Sequence, residues 1–321
     1  IKRVSVEKYK KQDRGGKGSN SAALLEDDYI NQLFIGSTKD YLLFITNVGK
    51  AYWIKVHEIP ESERTSRGAH IKSLLAVGPD EEITAVVSLK EFAEDQYLFM
   101  TTANGVVKKV HTTEFSNAKT RGIIGLKLDT GDKLISAIQT TGSTEVMLIS
   151  RRGKALKIKE DSVRSMGRAS RGIKGMKLAE GDEIAAAVKV EEGTGLILVT
   201  EKGHGKRISS DLFSTHGRGT GGQRIFGNID GKGEIIGAVS ICDSDEIVCM
   251  TSQGKTLRIK ATEIKQQGAG ASGITIVKVS EPDYLVGIDK VPFLGLMVWV
   301  AYFDKANTTK NEEESNNTSN V

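Results

Sequence analysis

The densest clustering of chemically able groups in the chain is Arg14-Gly15-Gly16-Lys17-Gly18, preceded by Gln12 and Asp13. Two cations among three glycines suit contact with phosphate: glycine lets the backbone come close, and Arg and Lys supply charge. A nucleotide-binding P-loop is a different pattern. It needs a longer glycine spacing, a Gly-Lys-Ser or Gly-Lys-Thr ending and a following helix, and this run has no such ending. A flexible linker is a second reading, but the run falls at a repeat position whose other copies also hold glycine. Other reactive groups are sparse. Cys242 and Cys249 are the only cysteines and form no Cys-x-x-Cys pair; both read as buried, reduced thiols, and no zinc site of the usual kind is expected. His57, His70, His111, His204 and His216 are scattered, without a metal pattern such as His-Glu-x-x-His. No metal ligands and no catalytic set are assigned.

The elements that must position the cations come from an internal repeat. The segments "NVGKAYWIKVHEI", "ANGVVKKVHTTEF", "RRGKALKIKEDSV", "GHGKRISSDLF" and "SQGKTLRIKATEI" share a glycine turn, a short strand, an apolar anchor and a second apolar residue five positions later. The anchors are Ile54, Val110, Ile158, Ile208 and Ile259; their partners are Ile59, Phe115, Val163, Phe213 and Ile264. Val4 and Tyr9 make a further pair, giving six copies at a period of about fifty residues. Each copy continues with a small glycine-rich element, an acidic turn and two more strands, read as strands from alternation and β-branched runs. Ala103-Asn104-Gly105-Val106 is the clearest hairpin signal, and it predicts a type I′ turn with positive φ at both central residues.

Four strands per copy predict an all-β, radial array of small sheets, closed so that no edge is left exposed. The C-terminal copy lacks its last strand, and Lys2 to Val6 matches the missing one, so the chain ends are expected to close the ring together. Abundant glycine (35) and scarce proline (4) fit many tight turns. Residues 1–305 are expected to form one domain, and 306–321, polar and low in complexity, a disordered tail in which Glu312–Glu314 read as solvated charge. Val291 to Phe303 is apolar but too short to span a bilayer and reads as a buried strand. The chain begins with Ile1 rather than Met, which points to a piece of a longer protein.

Net charge is only +4, so placement decides what the cations do. The residue before each anchor is Arg3, Trp53, Lys109, Lys157, Arg207 or Arg258. Alternation with a buried neighbour predicts that it faces outward. An Arg-Gly element recurs at Arg14, Arg67, Arg121, Arg171 and Arg218. Further cations follow it at Lys127, Lys177 and Arg224, while Lys50, Lys154 and Lys255 follow the glycine turns directly. Acids are expected to cluster in other turns, at Asp80 to Glu82, Asp132 and Asp182. A periodic belt of cations suits a polyanion that runs around a disc. Duplex DNA carries one charge per ~1.7 Å of axis, and bending it smoothly through 40–90° takes on the order of 1–6 kcal/mol, so contacts are needed all along the path. With two tryptophans and no aromatic series, stacking on single-stranded bases is disfavoured.

Gln12, Arg14, Gly15, Gly16, Lys17 and Gly18 resemble the gyrase A box, Gln-Arg-Arg-Gly-Gly-Lys-Gly, the signature of the DNA gyrase A C-terminal domain. Asp13 departs from it, standing where the family usually has Arg. The degenerate repeats extend the resemblance over residues 1 to about 305. It implies a six-bladed β-pinwheel, non-specific binding of double-stranded DNA, and right-handed wrapping of that DNA around the basic perimeter. It further implies that the cleavage tyrosine, the ATP and the magnesium ion belong to other parts of a bacterial, cytoplasmic topoisomerase. The domain would then bring no cofactor and no catalysis of its own. It would be monomeric when isolated, and joined in the enzyme to the rest of gyrase A and to gyrase B in a heterotetramer. Three alternatives remain open: a protein-interaction propeller, similar to kelch or the chromosome-condensation regulator family; a propeller enzyme with polar residues converging in its channel; and the corresponding domain of topoisomerase IV, whose box is decayed or absent.

Overall fold

The computed structural model describes residues 1–5, 19–20, 28–63, 66, 68–79, 81–291 and 297–305. The repeat builds five sheets of four antiparallel strands. Blade one joins the hairpin Tyr41–Thr46 and Lys50–Lys55 to the inner strand Ile83–Leu89, and takes an outer strand, Ile123–Ile124, from the next copy. Blade two uses Tyr97–Thr102, Val106–His111, Leu134–Thr140 and Ile173–Lys174; blade three uses Glu145–Ser150, Lys154–Lys159, Ile184–Val190 and Gln223–Arg224. Blade four uses Gly195–Thr200, His204–Ser209, Ile235–Ile241 and Ile274–Thr275. Blade five is Glu246–Thr251, Lys255–Lys260 and Leu285–Val291, with Ser19–Asn20 as its outer strand. Every outer strand is thus lent by the copy that follows, so neighbouring blades are tied covalently as well as by packing.

The chain ends share the sixth sheet. Lys2–Ser5 pairs antiparallel with Met297–Lys305, which pairs in turn with Asp28–Ser37. The six inner strands contact one another in cyclic order, and Asp28–Ser37 touches both Leu285–Val291 and Ile83–Leu89, which closes the ring. The expectation of six four-stranded blades needs correction: five are complete, and the sixth sheet has three strands among the described residues. Its outer strand is reduced to one residue pair. Ala69 and the first residue, Ile1, exchange two backbone hydrogen bonds of 2.8 and 2.6 Å. The chain then turns into a short 3-10 helix at Ile71–Ser73, where His70 Nδ1 accepts from the Lys72 amide. In the other copies the equivalent residues, Gly125, Gly175, Ile225 and Ile276, donate their amides back to the turn glycines Gly49, Gly105, Gly153 and Gly203.

The anchors behave as the repeat predicts. Val4, Ile54, Val110, Ile158, Ile208 and Ile259 are all buried, as are Ile59, Phe115, Val163, Phe213 and Ile264; Tyr9 lies outside the described residues. Between anchor and partner the chain makes a 3-10 turn, as at Glu160–Ser162, which the sequence did not announce. The hairpins also differ from expectation. Gly105 has φ +78° and Asn104 does not have positive φ, so the turn is not type I′. It is a three-residue connection ending in a left-handed glycine, the G1-bulge form. The reason lies in the adjacent loop: Asp132 accepts a hydrogen bond from the Asn104 amide at 3.1 Å and fixes it in the ordinary region.

Both faces of each blade pack on neighbours, leaving the outer strands and the turns to solvent. The central channel, about 360 Å³, is lined mainly by small apolar residues such as Ala85, Ala186, Gly237 and Ile288, with Ser88, Ser136 and Asp289 as its polar members. No nucleophile, acid and base converge along these described walls.

Candidate nucleic-acid interface

The glycine before each outer strand sets the register of the interface. Gly172 has φ +97°, and a Cβ there would lie 2.7 Å from the Val107 carbonyl oxygen. Gly122, Gly222 and Gly273 hold the equivalent place, since the residue after each pairs at the same position of its strand. This corrects the repeat alignment. Arg121 and Arg171 are equivalent, but Arg218 corresponds to Arg168. Both Arg168 and Arg218 donate through Nη1 to the outer strand of the preceding blade, to Ile124 O at 3.0 Å and Lys174 O at 3.3 Å. Arg224 likewise corresponds to Lys174, not to Lys127 and Lys177.

The perimeter cations then divide into three groups. Arg121, Lys127, Lys154, Lys177 and Arg224 are exposed, and their charged groups meet no partner among the described residues. Lys174, Lys202 and Lys278 join them, exposed and equally free among the described residues; sequence reasoning missed these three. The corrected register would have found two, because Lys174 aligns with Arg224, and Lys278 with Lys127 and Lys177. Arg171 is exposed and meets Asp129 at 3.0 Å. These residues run along the outer edges of blades one to four.

In the second group, neighbouring acids offset the charge. Lys50 meets Glu81 at 2.5 Å, and Lys255 meets Asp283 at 3.1 Å. Burial pushes the Glu81 carboxyl up, but hydrogen bonds from Lys50 and Tyr52, the Lys50 charge and the Gly78 amide outweigh it and hold the group below its ordinary value. Asp283 follows the same logic, with the Gln253 amide and the side chains of Thr251, Lys255 and Ser252 overcoming burial. Asp132 and Asp182 accept from the turn amides of Asn104 and Arg152. The acids therefore sit against the hairpin turns and are not segregated elsewhere.

The third group is not at the surface. Residues before the anchors lie at blade junctions, contrary to the outward placement predicted by alternation. Arg3 donates to the Ile59 carbonyl at 3.1 Å, Trp53 Nε1 to Ser116 O at 3.1 Å, and Lys109, only 6% exposed, to Glu160 O at 3.3 Å. Lys157 reaches the Ser210 carbonyl at 3.5 Å, Arg207 pairs with Asp243, and Arg258 meets Glu246 at 2.6 Å. The next blade covers the face that alternation assigned to solvent. Arg3, Lys109, Lys157 and Arg207 thus reach segments at the junction with the next blade, whereas Arg258 meets Glu246 on the adjacent strand of its own blade; none of the five is exposed. Cys242 also departs from expectation, being exposed, whereas Cys249 is buried and its thiol is pushed up to about 12 by desolvation.

Three lysines went unremarked in the sequence. Lys2, Lys108 and Lys206 stand two residues before an anchor and are buried. Lys108 donates to the carbonyls of Ser170 at 2.8 Å, Gly125 at 3.5 Å and Arg168. Desolvation pulls it down to about 8, partly opposed by Glu114. Tyr52, Leu156 and Leu257 occupy the same place in the alternate blades, also buried. The box residues Gln12, Asp13, Arg14, Gly15, Gly16, Lys17 and Gly18, and Arg67, lie outside the described residues. Ser19–Asn20, immediately after the box, pairs with Thr256 and Lys255 of blade five.

Comparisons with known proteins agree with this architecture. The family "DNA gyrase C-terminal domain, beta-propeller" matches residues 1–37, 40–90, 96–141, 144–191, 196–242 and 245–292. The DNA gyrase A protein of Treponema pallidum is 62% identical over 291 residues, 91% of this chain and 36% of that protein. Its Escherichia coli counterpart is 38% identical, over 91% of this chain and 33% of its own length. The chain therefore spans about a third of these curated relatives. Among solved structures, a DNA gyrase A C-terminal domain superposes with a TM-score of 0.84 at 33% identity, covering 90% of this chain and 95% of that one. The C-terminal domain of a DNA topoisomerase IV gives 0.66 at 26% identity, covering 90% and 89%. With six matched segments falling on six repeats, the chain belongs to the DNA gyrase C-terminal domain family of β-propellers.

Proposed function

We propose that this domain binds duplex DNA without sequence preference along its outer edge and wraps it in a right-handed sense, so that a gyrase holoenzyme can convert strand passage into negative supercoiling. The observation that carries the reading is the run of exposed cations, unpaired among the described residues, at equivalent places on successive blades, from Arg121 and Lys127 through Lys154, Lys174, Lys177 and Arg224 to Lys278. Phosphates neutralised at such sites release counterions, and contacts spread along the path offset the bending energy. Recognition is by backbone and deformability, since the edge presents ammonium and guanidinium groups and, among the described residues, no element shaped for a groove. The box, which directly precedes Ser19–Asn20 in sequence, holds one end of the wrapped segment. Cleavage and ATP turnover, with its magnesium, belong to the remainder of gyrase A and to gyrase B, in the bacterial cytoplasm. No helix among the described residues is long and apolar enough to cross a membrane.

Salt titration of binding to a long duplex tests this reading. Log K should fall linearly with log salt, with a slope of about −0.9 per neutralised phosphate. An absence of binding at low salt would favour the protein-interaction class.

A further inference from the structure

The loop Gly268-Ala269-Gly270-Ala271-Ser272 carries no cation. Yet it holds in blade four the place that Arg168–Arg171 holds in blade two, directly before the outer strand. Beneath it lies Lys206, fully buried. Its ammonium donates to the carbonyls of Gly268 at 2.8 Å, Ala269 at 2.8 Å and Ala271 at 3.0 Å, and faces the Phe226 ring at 5.5 Å. No carboxylate among the described residues pairs with it. Three carbonyls are thereby drawn inward. The Ala271 amide donates within the loop, to Gly268 O at 3.1 Å. The amides of Gly268, Ala269, Gly270 and Ser272 donate to nothing among the described residues. A Cβ on Gly268 or Gly270 would meet no atom within 4 Å, so the loop is open on that side.

We propose that the 268–272 loop is a backbone phosphate-contact site on the DNA path, with Lys206 as its positioning residue. This rests on the DNA-binding reading above. The ammonium turns the carbonyls in, and its uncompensated charge lies under amides that have no acceptor among the described residues. Concavities of successive N–H groups bind anions, and backbone amides are regular partners of DNA phosphates. The site continues the positive path where Ser272 and Thr275 replace Arg171 and Lys174. Desolvation lowers Lys206 to about 8, which leaves it mostly charged at neutral pH.

The test compares Lys206→Met with Lys174→Ala in the full chain. Lys206→Met should reduce the salt slope of duplex binding by about 0.9, the equivalent of one phosphate. On adding a short duplex, the amide resonances of Ala269 and Gly270 should shift in the parent chain and stay in place in Lys206→Met. A folded Lys206→Met with the parent slope, beside a reduced slope in Lys174→Ala, overturns this site and leaves the DNA reading intact. A parent chain that binds no duplex overturns both. Should Lys206→Met fail to fold, Gly270→Pro removes one outward N–H at an open position. It should show the same reduction in slope, and a parent-like slope there overturns the site.

Discussion

Arg258 and Arg224 are the same residue type at two places in the ring, with opposite surroundings. Arg258 is locked to Glu246 at 2.6 Å, with both side chains under one-fifth exposed. Arg224 stands on an outer strand, exposed and unpaired among the described residues. The contrast extends to Lys109 against Lys174, and to Lys157 against Lys154. On a strand with one solvated face, alternate residues point to water. In a radial array both faces of a sheet are covered by neighbours, and water reaches only the outer strand and the turns. A cation's role is therefore set by its radial position in the blade more than by which face it occupies.

Four substitution experiments would break or sharpen that contrast. Arg258→Ala removes the guanidinium that meets Glu246 on the adjacent strand of blade five, a change that destabilises by about 3–5 kcal/mol when such a pair is deeply buried. With its modest exposure the effect should approach the lower end, read as a fall in the denaturant midpoint with m unchanged. Duplex affinity of the folded fraction should stay at the parent value. A large drop in affinity of folded protein would show that Arg258 touches DNA after all.

The triple variant Lys154→Ala, Lys174→Ala and Arg224→Ala should do the reverse. Surface changes of this kind leave stability nearly unchanged, but the salt slope should drop by about 0.9 for each phosphate no longer neutralised. An unchanged slope would remove these residues from the interface.

The third experiment uses pH. Lys108 and Lys206 are pulled down to about 8 from the ordinary 10.5. Between those values the unfolded chain holds protons that the folded chain has released, so unfolding takes protons up and stability rises with pH. Unfolding free energy followed by urea titration from pH 8 to 10 should rise more steeply in the parent than in Lys108→Met. Equal slopes would mean that the buried ammonium keeps its ordinary affinity for protons. The smallest effect is expected from Lys50→Ala. Lys50 is half exposed, and Glu81 keeps the Tyr52 hydroxyl and the Gly78 amide as partners without it, so the loss should be about 1 kcal/mol. Because Glu81 already offsets its charge, the salt slope should hardly move.

Much of this was legible in the sequence. Anchors such as Val110 and Ile158, the glycine turns and the pairing of Lys2–Ser5 with the C-terminal strand follow from periodicity, because burial and tight turns restrict residue type strongly. The register of the outer loop was misread because Arg-Gly occurs at two places within it, as Arg171-Gly172 and as Arg218-Gly219. Gly219 is left-handed too, at φ +81°; what marks the true position is that the residue after Gly172 or Gly222 pairs with the neighbouring strand. Lys206 was overlooked because lysine signals solvent. The available signal was parity: it lies two residues before Ile208, on the same side of the strand as the anchor, where Leu156 and Leu257 sit in other blades. The 3-10 turns and the Asp132 hydrogen bond that reshapes the Asn104 turn depend on neighbouring segments, and local pattern does not encode them.

The central claim is chiral wrapping by the outer edge. The most direct measurement adds this chain to relaxed circular DNA, lets a nicking-closing enzyme equilibrate the circle, removes protein and resolves topoisomers at several salt concentrations. The account predicts a positive shift in linking number that grows with protein and fades as salt screens the interface. Binding without any shift, or a shift of the opposite sign, would contradict it.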